Sequence, residues 1–299
     1  MPAAHIPITL DELVRHARPR PGDVVVDCTL GGGSHALALL ERISPGGRLI
    51  GLDADPLELP RTEKRIRDAG YKPAVFKSRH ANFSQLPSVL RAERLDAADI
   101  VVADLGISAM QADDALRGFN YKGVGPLDMR MDPRAGEPAA ALIARASETE
   151  LARMLDDHAD EPYAGIIAGL LTQPGLTTTH AAERAIRTGL ARARPQLTKA
   201  EIKASVRRTF QALRIAVNDE LTALDELLEA LPGCLRDGGR VVFITFHSGE
   251  DRRVKKAFQA GRRAGVYRDI ARAVVQSSKQ ETRANRRAAP AKLRWAVRA

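Results

Sequence analysis

Residues 23–42 constrain this chain most. Asp23-Val-Val-Val-Asp27 is a run of β-branched residues introduced by the turn pair Pro21-Gly22, a pattern that predicts a short buried strand. Cys28-Thr-Leu-Gly-Gly-Gly-Ser-His35 follows, and then an amphipathic stretch from Ala36 to Arg42. The order is strand, glycine loop, helix. Glycines without side chains let the backbone approach a ligand closely. The helix behind the loop presents unpaired N–H groups and partial positive charge, which suit a carboxylate or a phosphate.

The alternation continues. Arg48–Asp53 reads as a second strand, Pro56–Ala69 as a helix, Ala74–Lys77 as a third strand and Asp99–Asp104 as a fourth. This is the pattern of an α/β fold with a doubly wound parallel sheet. It breaks at Leu105–Pro138, a stretch rich in glycine and proline with no clear period; segments of this length inside a domain are often functional. From Ala139 to Ala204 the chain reads as helical, with a capping-box spacing at Ser147-Glu-Thr-Glu150. Apolar residues at three- and four-residue steps predict one long helix over Lys199–Leu231, ended by Pro232-Gly233. Asp237–Phe246 then reads as turn and strand, returning the chain to the sheet. The expected organisation is a first sheet segment over 1–135, a helical insertion that recognises substrate over 136–205, and a second sheet segment over 206–299.

A length of 299 residues suits that organisation. No apolar run approaches the roughly 18 residues of a membrane span, and Met1–Leu10 lacks the features of a signal peptide. Cys28 and Cys234 stand alone, far from any zinc or disulfide spacing, so the expectation is two reduced thiols in a cytoplasmic protein without a metal. The net charge of +9 is unevenly placed. From Arg252 to Ala299 fifteen Lys or Arg face two acids, leaving the rest of the chain slightly acidic. A basic tail on such a body points to a polyanionic partner. The alternation of Leu293, Trp295 and Val297 predicts that the tail's end is ordered.

In open α/β sheets ligands bind beyond the carboxyl ends of the strands. Here those ends are Asp27, Asp53, Asp104 and Phe246. A strand-end acid accepts hydrogen bonds from ribose hydroxyls, an ammonium group or an amine. Gly31, Gly33 and Ala36, with Asp53 twenty residues after Gly33, satisfy a dinucleotide fingerprint. The same residues suit S-adenosylmethionine, or an ordinary tight turn. Asp27, four residues before the first glycine, suits the positive amino-acid end of S-adenosylmethionine, and Asp104 ends the strand where a methyl acceptor would lie.

Several longer blocks resemble one family. They are His5-Ile-Pro-Ile, Asp27–His35, Asp53-Ala-Asp-Pro56, Ala81-Asn-Phe83, Asp104-Leu-Gly-Ile-Ser108 and Gly118-Phe-Asn-Tyr121. They continue with Gly125-Pro-Leu-Asp-Met-Arg-Met-Asp-Pro133, the run Arg208–Glu220, Phe246-His-Ser-Gly-Glu-Asp-Arg252 and Ala291-Lys-Leu-Arg294. Together they resemble the ribosomal RNA small subunit methyltransferase H family. The resemblance implies a Rossmann-like methyltransferase sheet with an inserted helical domain, S-adenosylmethionine as cofactor, and methylation of N4 of a cytidine in 16S ribosomal RNA. It implies cofactor contacts at Gly33, Ser34, His35, Asp53, Phe83, Asp104 and Gln111. Three positions depart from the family pattern: Ser34 and Gly249 stand where glycine and leucine are usual, and Lys203–Arg208 replaces a His-Pro-Ala run. The segment between Arg252 and the ending is also short.

For the chemistry, Asp104, with the carbonyls of Leu105 and Gly106, is the candidate catalytic acceptor for the amine. Asp128, Arg130 and Asp132, or His247, Glu250 and Asp251, are further candidates to line the site, each equally suited to ion pairing or capping. Tyr121 and Phe119 are the candidates for stacking on a base, and the tail's cations for phosphate contact. The expected partner is small-subunit ribosomal RNA or the assembled subunit, with no membrane, and a monomer or homodimer. An NAD(P)-linked oxidoreductase and an assembly factor without chemistry are the competing readings.

Overall fold

The computed structural model describes residues 7–299; His5 and Ile6 of the first motif lie outside them. The chain forms two compact units, Met1–Gly106 with Leu221–Ala299, and Ile107–Glu220.

The first unit is built on one sheet. Its strands are β1 (Val24–Asp27), β2 (Arg48–Asp53), β3 (Phe76–His80), β4 (Ala98–Asp104), β5 (Leu235–Thr245), β6 (Tyr267–Ile270), β7 (Val275–Gln276) and β8 (Lys292–Arg298). The order is β3-β2-β1-β4-β5-β8-β6, with β7 also on β8. Strands β1 to β5 are mutually parallel, whereas β8 runs antiparallel to β5, β6 and β7. The basic tail therefore ends as an internal strand. Leu293, Trp295 and Val297 share a face in the predicted alternation, but Arg294 and Ala296 between them are buried too, while Trp295 is only partly so, because β8 is covered on both sides.

Alternation along the strands divides the core in two. Val26, Ile50, Val101 and Phe243 pack on one face; Val25, Leu49, Val102 and Ile244 pack on the other. The helices α1 (Leu10–Ala17), α2 (Ser34–Ile43) and α3 (Leu59–Asp68) contribute Leu13, Leu39 and Ile66 to the second face. Helix α4 (Leu86–Ala92) contributes Leu90 to the first.

The second unit holds α5 (Ala109–Asp113), α6 (Ala139–Arg145), α7 (Glu148–Ala159), α8 (Ala164–Leu171), α9 (Thr179–Ala193) and α10 (Lys199–Asn218). Its core joins Leu127, Met129 and Phe119 to Leu155, Ile186, Phe210 and Leu213. This is why the unit is wider than the 136–205 segment expected from sequence: the glycine-rich loop before it and the apolar face of α10 after it belong to the same core. The capping box of Ser147 and Glu150 starts α7 as its spacing predicts.

Two further expectations are corrected. Lys199–Leu231 is two helices, α10 and α11 (Glu220–Cys234), because Asp219 adopts φ 48 and ends the first. Pro232-Gly233 does not terminate α11, since Pro232 sits in its last turn, where it forgoes one bond of the ladder without ending the helix before Cys234. The chain closes with α12 (Ser248–Arg263) and α13 (Lys279–Ala284) in the first unit. Asp237-Gly-Gly239 is not a free turn. It lies in an irregularity of β5, where Leu235 pairs with Ala98 and Arg240 with Ile100.

Candidate active site

The carboxyl ends of β1, β2 and β4 bring Asp27, Asp53 and Asp104 to one edge of the first unit. The glycine loop between β1 and α2 is held from several sides. The Leu30 N–H donates to the Leu52 carbonyl at 2.8 Å, and the Gly31 N–H donates to Asp53 Oδ2 at 2.7 Å. From α3, Thr62 donates to the Gly31 carbonyl, and Arg65 donates to the Gly32 carbonyl at 2.6 Å. Gly33 caps α2 with φ 76, and a Cβ there would lie 2.8 Å from Thr62 Cγ2. The loop can pass so close to α3 only as glycine. Thr62 and Arg65 carried no sequence signal; they read as polar positions of an amphipathic helix.

Asp27 is buried and Asp53 and Asp104 are partly so, and two of the three are under-partnered. Asp27 Oδ1 accepts from the Thr29 N–H at 3.1 Å, while Oδ2 has no hydrogen-bond partner among the described residues. Burial, with the negative charge of Asp53 behind it, pushes the Asp27 carboxyl up to about 7. Asp53 accepts from the N–H groups of Gly31 and Asp55, yet burial still raises it to about 6. Burial raises Asp104 well above the usual carboxylate range, helped by Asp27 and Glu250. Its Oδ1 likewise lacks a hydrogen-bond partner among the described residues. Thr29, which the motif placed in the loop without a role, accepts from the Asp104 N–H at 2.6 Å and fixes the strand end.

His35 lies in the first turn of α2. Its Nε2 is 3.0 Å from the Ile8 carbonyl and its Nδ1 is 3.7 Å from Asp104 Oδ2. A carbonyl only accepts, so Nε2 carries the proton. Ser34 opens the same helix, with Arg65 3.4 Å from its hydroxyl. Phe83 opens a short 3₁₀ turn just beyond β3 and packs, half-buried, against the first core face. Gln111 belongs to the second unit. Its Oε1 accepts from the Ser108 N–H at 2.9 Å, closing a capping box on α5.

Other candidates have structural partners. Arg130 forms a two-pronged pair with Asp128 at 2.8 Å, and Arg134 pairs with Asp132 at 3.0 Å. Burial works to raise Asp128, but the Arg130 hydrogen bonds and charge outweigh it and hold the carboxyl below its ordinary value. Phe119 is buried beneath Arg117, and Tyr121 packs edge-on against Phe210. Glu250 accepts from the Phe246 N–H at 2.7 Å and caps α12 beside His247, whose Nε2 is 3.1 Å away. Asp251 binds Arg294 at 2.6 Å. A Cβ at Gly249 would sit 3.1 Å from the His247 ring, so the usual leucine has little room here.

The two longest motifs explain one another. Asn218, from the Arg208 block, accepts from the Met131 N–H at 2.7 Å and donates to the Met129 carbonyl at 2.8 Å. It thereby clamps the Gly125 block, in which Met129 has φ 66.

The profile of the MraW methylase family matches residues 2–299. The chain belongs to the MraW methylase family. Ribosomal RNA small subunit methyltransferase H 2 of Alkaliphilus metalliredigens is 42% identical over 99% of this chain and 85% of its own. Ribosomal RNA small subunit methyltransferase H of Myxococcus xanthus is 42% identical over 97% of this chain and 96% of its own. A solved rRNA methylase from Streptococcus thermophilus aligns over 99% of both chains at TM-score 0.46 and 11% identity, a distant likeness that adds nothing to the assignment. This MraW methylase is a methyltransferase dependent on S-adenosylmethionine, and the dinucleotide reading of Gly31, Gly33 and Ala36 is set aside. The acid cluster fits that cofactor. Buried carboxylates with unsatisfied oxygens need donors and positive charge, and the ammonium, sulfonium and ribose hydroxyls of S-adenosylmethionine provide both.

Proposed function

We propose that this protein methylates N4 of a cytidine in small-subunit (16S) ribosomal RNA. The observation that carries the reading is the set of strand-end acids, Asp27 buried and Asp53 and Asp104 partly buried, with unsatisfied oxygens on Asp27 and Asp104, in a chain matched throughout by methylases of that RNA. S-adenosylmethionine supplies the electrophilic methyl group. Asp27 Oδ2 accepts from its ammonium group, and Asp53 accepts from ribose hydroxyls. Gly33, Ser34 and His35 would line the amino-acid end, and Phe83 would flank the base.

The cytosine amine is a weak nucleophile because its lone pair is delocalised into the ring. Asp104, with the carbonyls of Leu105 and Gly106, holds the amine by its hydrogens, orients the nitrogen lone pair and takes the proton that nitrogen sheds. Burial raises its affinity for a proton in the empty site, so the positive charge of bound cofactor would favour the ionised form that accepts. The target base has to be unpaired or extruded to be reached. The helical segment 136–205 recognises RNA around it, and the protein works in the cytoplasm on RNA or the assembled subunit. Among the described residues no helix is long and apolar enough to cross a membrane.

The test is transfer of labelled methyl from S-adenosylmethionine to small subunits lacking the modification, compared with Asp104→Ala. Label on RNA that disappears in the variant supports the reading. Full turnover by Asp104→Ala removes the role given to that residue.

A further inference from the structure

Helix α12 follows directly from the strand-end cluster. Its apolar face, Val254 and Phe258, is buried in the first unit's core. Its opposite face carries Arg252, Lys255, Lys256, Gln259, Arg262 and Arg263, all exposed. These positions follow three- and four-residue steps and form one stripe along the helix. At 1.5 Å per residue the stripe is roughly 16 Å long.

The helix's own acids do not neutralise it. Glu250 is turned inward to the Phe246 N–H, and Asp251 binds Arg294. Arg253 pairs with Asp225. Lys255, Lys256, Arg262 and Arg263 have no ion-pair partner among the described residues. Like charges three and four residues apart destabilise a helix. Arg262 and Arg263 recover some of that at the helix C-terminus, but Lys255 and Lys256, in mid-helix, do not. The other cations of the tail are differently placed: Arg294 and Lys292 face Asp251, and Arg298 donates to the Val266 carbonyl.

We propose that this stripe of α12 is the surface along which the RNA sugar-phosphate backbone lies. The inference rests on the RNA-methylating reading above and says where the strand runs. Asp104 pairs with Ile244 near the end of β5, and α12 starts four residues after Ile244, so a backbone following α12 leads towards the acid cluster. The stripe holds no aromatic residue, which fits phosphate contact rather than base stacking. A bilayer surface fits less well. Interfacial helices insert an apolar face, and here that face is buried; the exposed large apolar residues Leu57, Met110, Leu116 and Val124 all lie elsewhere in the sequence.

The test compares the full-length protein with a quadruple variant, Lys255→Gln, Lys256→Gln, Arg262→Gln and Arg263→Gln. Binding to small-subunit RNA is measured from 0.05 to 0.5 M salt (roughly the range in which counterion release dominates). A control variant replaces the exposed Arg61, Lys72, Arg91 and Arg94 by Gln. Each phosphate contact adds about 0.7 to the salt slope for single strands. Two to four lost contacts then weaken binding by roughly 10- to 200-fold at 0.15 M salt, taking affinities to converge at 1 M. S-adenosylmethionine binding is expected to be unchanged in both variants, and the control is expected to keep the wild-type slope. An unchanged slope in the α12 variant, with wild-type RNA binding intact, overturns the surface alone. Loss of binding to anionic vesicles with RNA binding unaffected does the same. A wild type that binds no RNA overturns the surface and the functional reading together.

Discussion

Asp27→Asn should make the unliganded protein more stable at neutral pH while weakening its hold on cofactor. The carboxyl is almost fully buried, and its pKa rises from an ordinary 3.8 to about 7. Asparagine keeps the shape and the acceptor for the Thr29 N–H but removes the charge that burial penalises. Because the folded state binds the Asp27 proton more tightly than the unfolded chain, the folded state is favoured while the group is protonated. Stability is therefore lost as pH rises from about 4 to about 7, and the loss then levels off. A gap of about 3 pH units corresponds to on the order of 4 kcal/mol, of which roughly 1–2 kcal/mol is already present at pH 5. The assay is thermal or urea unfolding of wild type and variant from pH 5 to pH 9. The variant's advantage should grow by about 2–3 kcal/mol between pH 5 and pH 8 and then stay flat. For a chain of this size 1 kcal/mol is worth roughly 2–4 °C in Tm. A variant that is no more stable, or whose advantage does not depend on pH, refutes the reasoning. Affinity of the wild type for S-adenosylmethionine should rise over the same interval, as Asp53 and Asp27 ionise at about 6 and about 7.

Gly33→Ala places a methyl group 2.8 Å from Thr62 Cγ2 at φ 76; calorimetric titration should show cofactor binding reduced at least tenfold, about 1.4 kcal/mol or more, with Tm lowered as well. Asn218→Ala removes three hydrogen bonds to the Met131 N–H and the carbonyls of Met129 and Arg214. It should cost about 1–3 kcal/mol, and limited proteolysis should cut within 126–138 sooner than in wild type. Glu93→Gln leaves Arg48, Lys77 and Arg79 around a buried neutral group; a drop of roughly 3 kcal/mol in urea unfolding is expected, with catalysis per folded molecule retained.

The parts of the fold readable from sequence were those set by local chemistry. Asp23–His35 announced strand, loop and helix because β-branched residues, glycines and a helix start follow one another directly, although the same order also suited a dinucleotide. Ser147 and Glu150 placed the start of α7. What was not readable depended on distant partners. Nothing near Lys292 indicates that β8 will lie between β5 and β6 and pair antiparallel to β5, since that pairing joins residues about 50 positions apart. The break at Asp219 lies inside an unbroken apolar period and needs a left-handed residue that the sequence does not mark. At the site, Asp27, Asp53 and Asp104 were visible as strand-end acids. Thr62 and Arg65 were not, because their work is to brace a loop about 30 residues away.

Methyl transfer to a cytidine amine leaves a chemically distinct nucleoside, so nucleoside analysis of the methylated RNA reads it out. Small subunits lacking the modification would be incubated with the protein and S-adenosylmethionine, and the RNA digested to nucleosides and examined by mass spectrometry. N4-methylated cytidine is expected at one site, absent with Asp104→Ala. Methyl on another base or on ribose, or none where cofactor binding is intact, would contradict it.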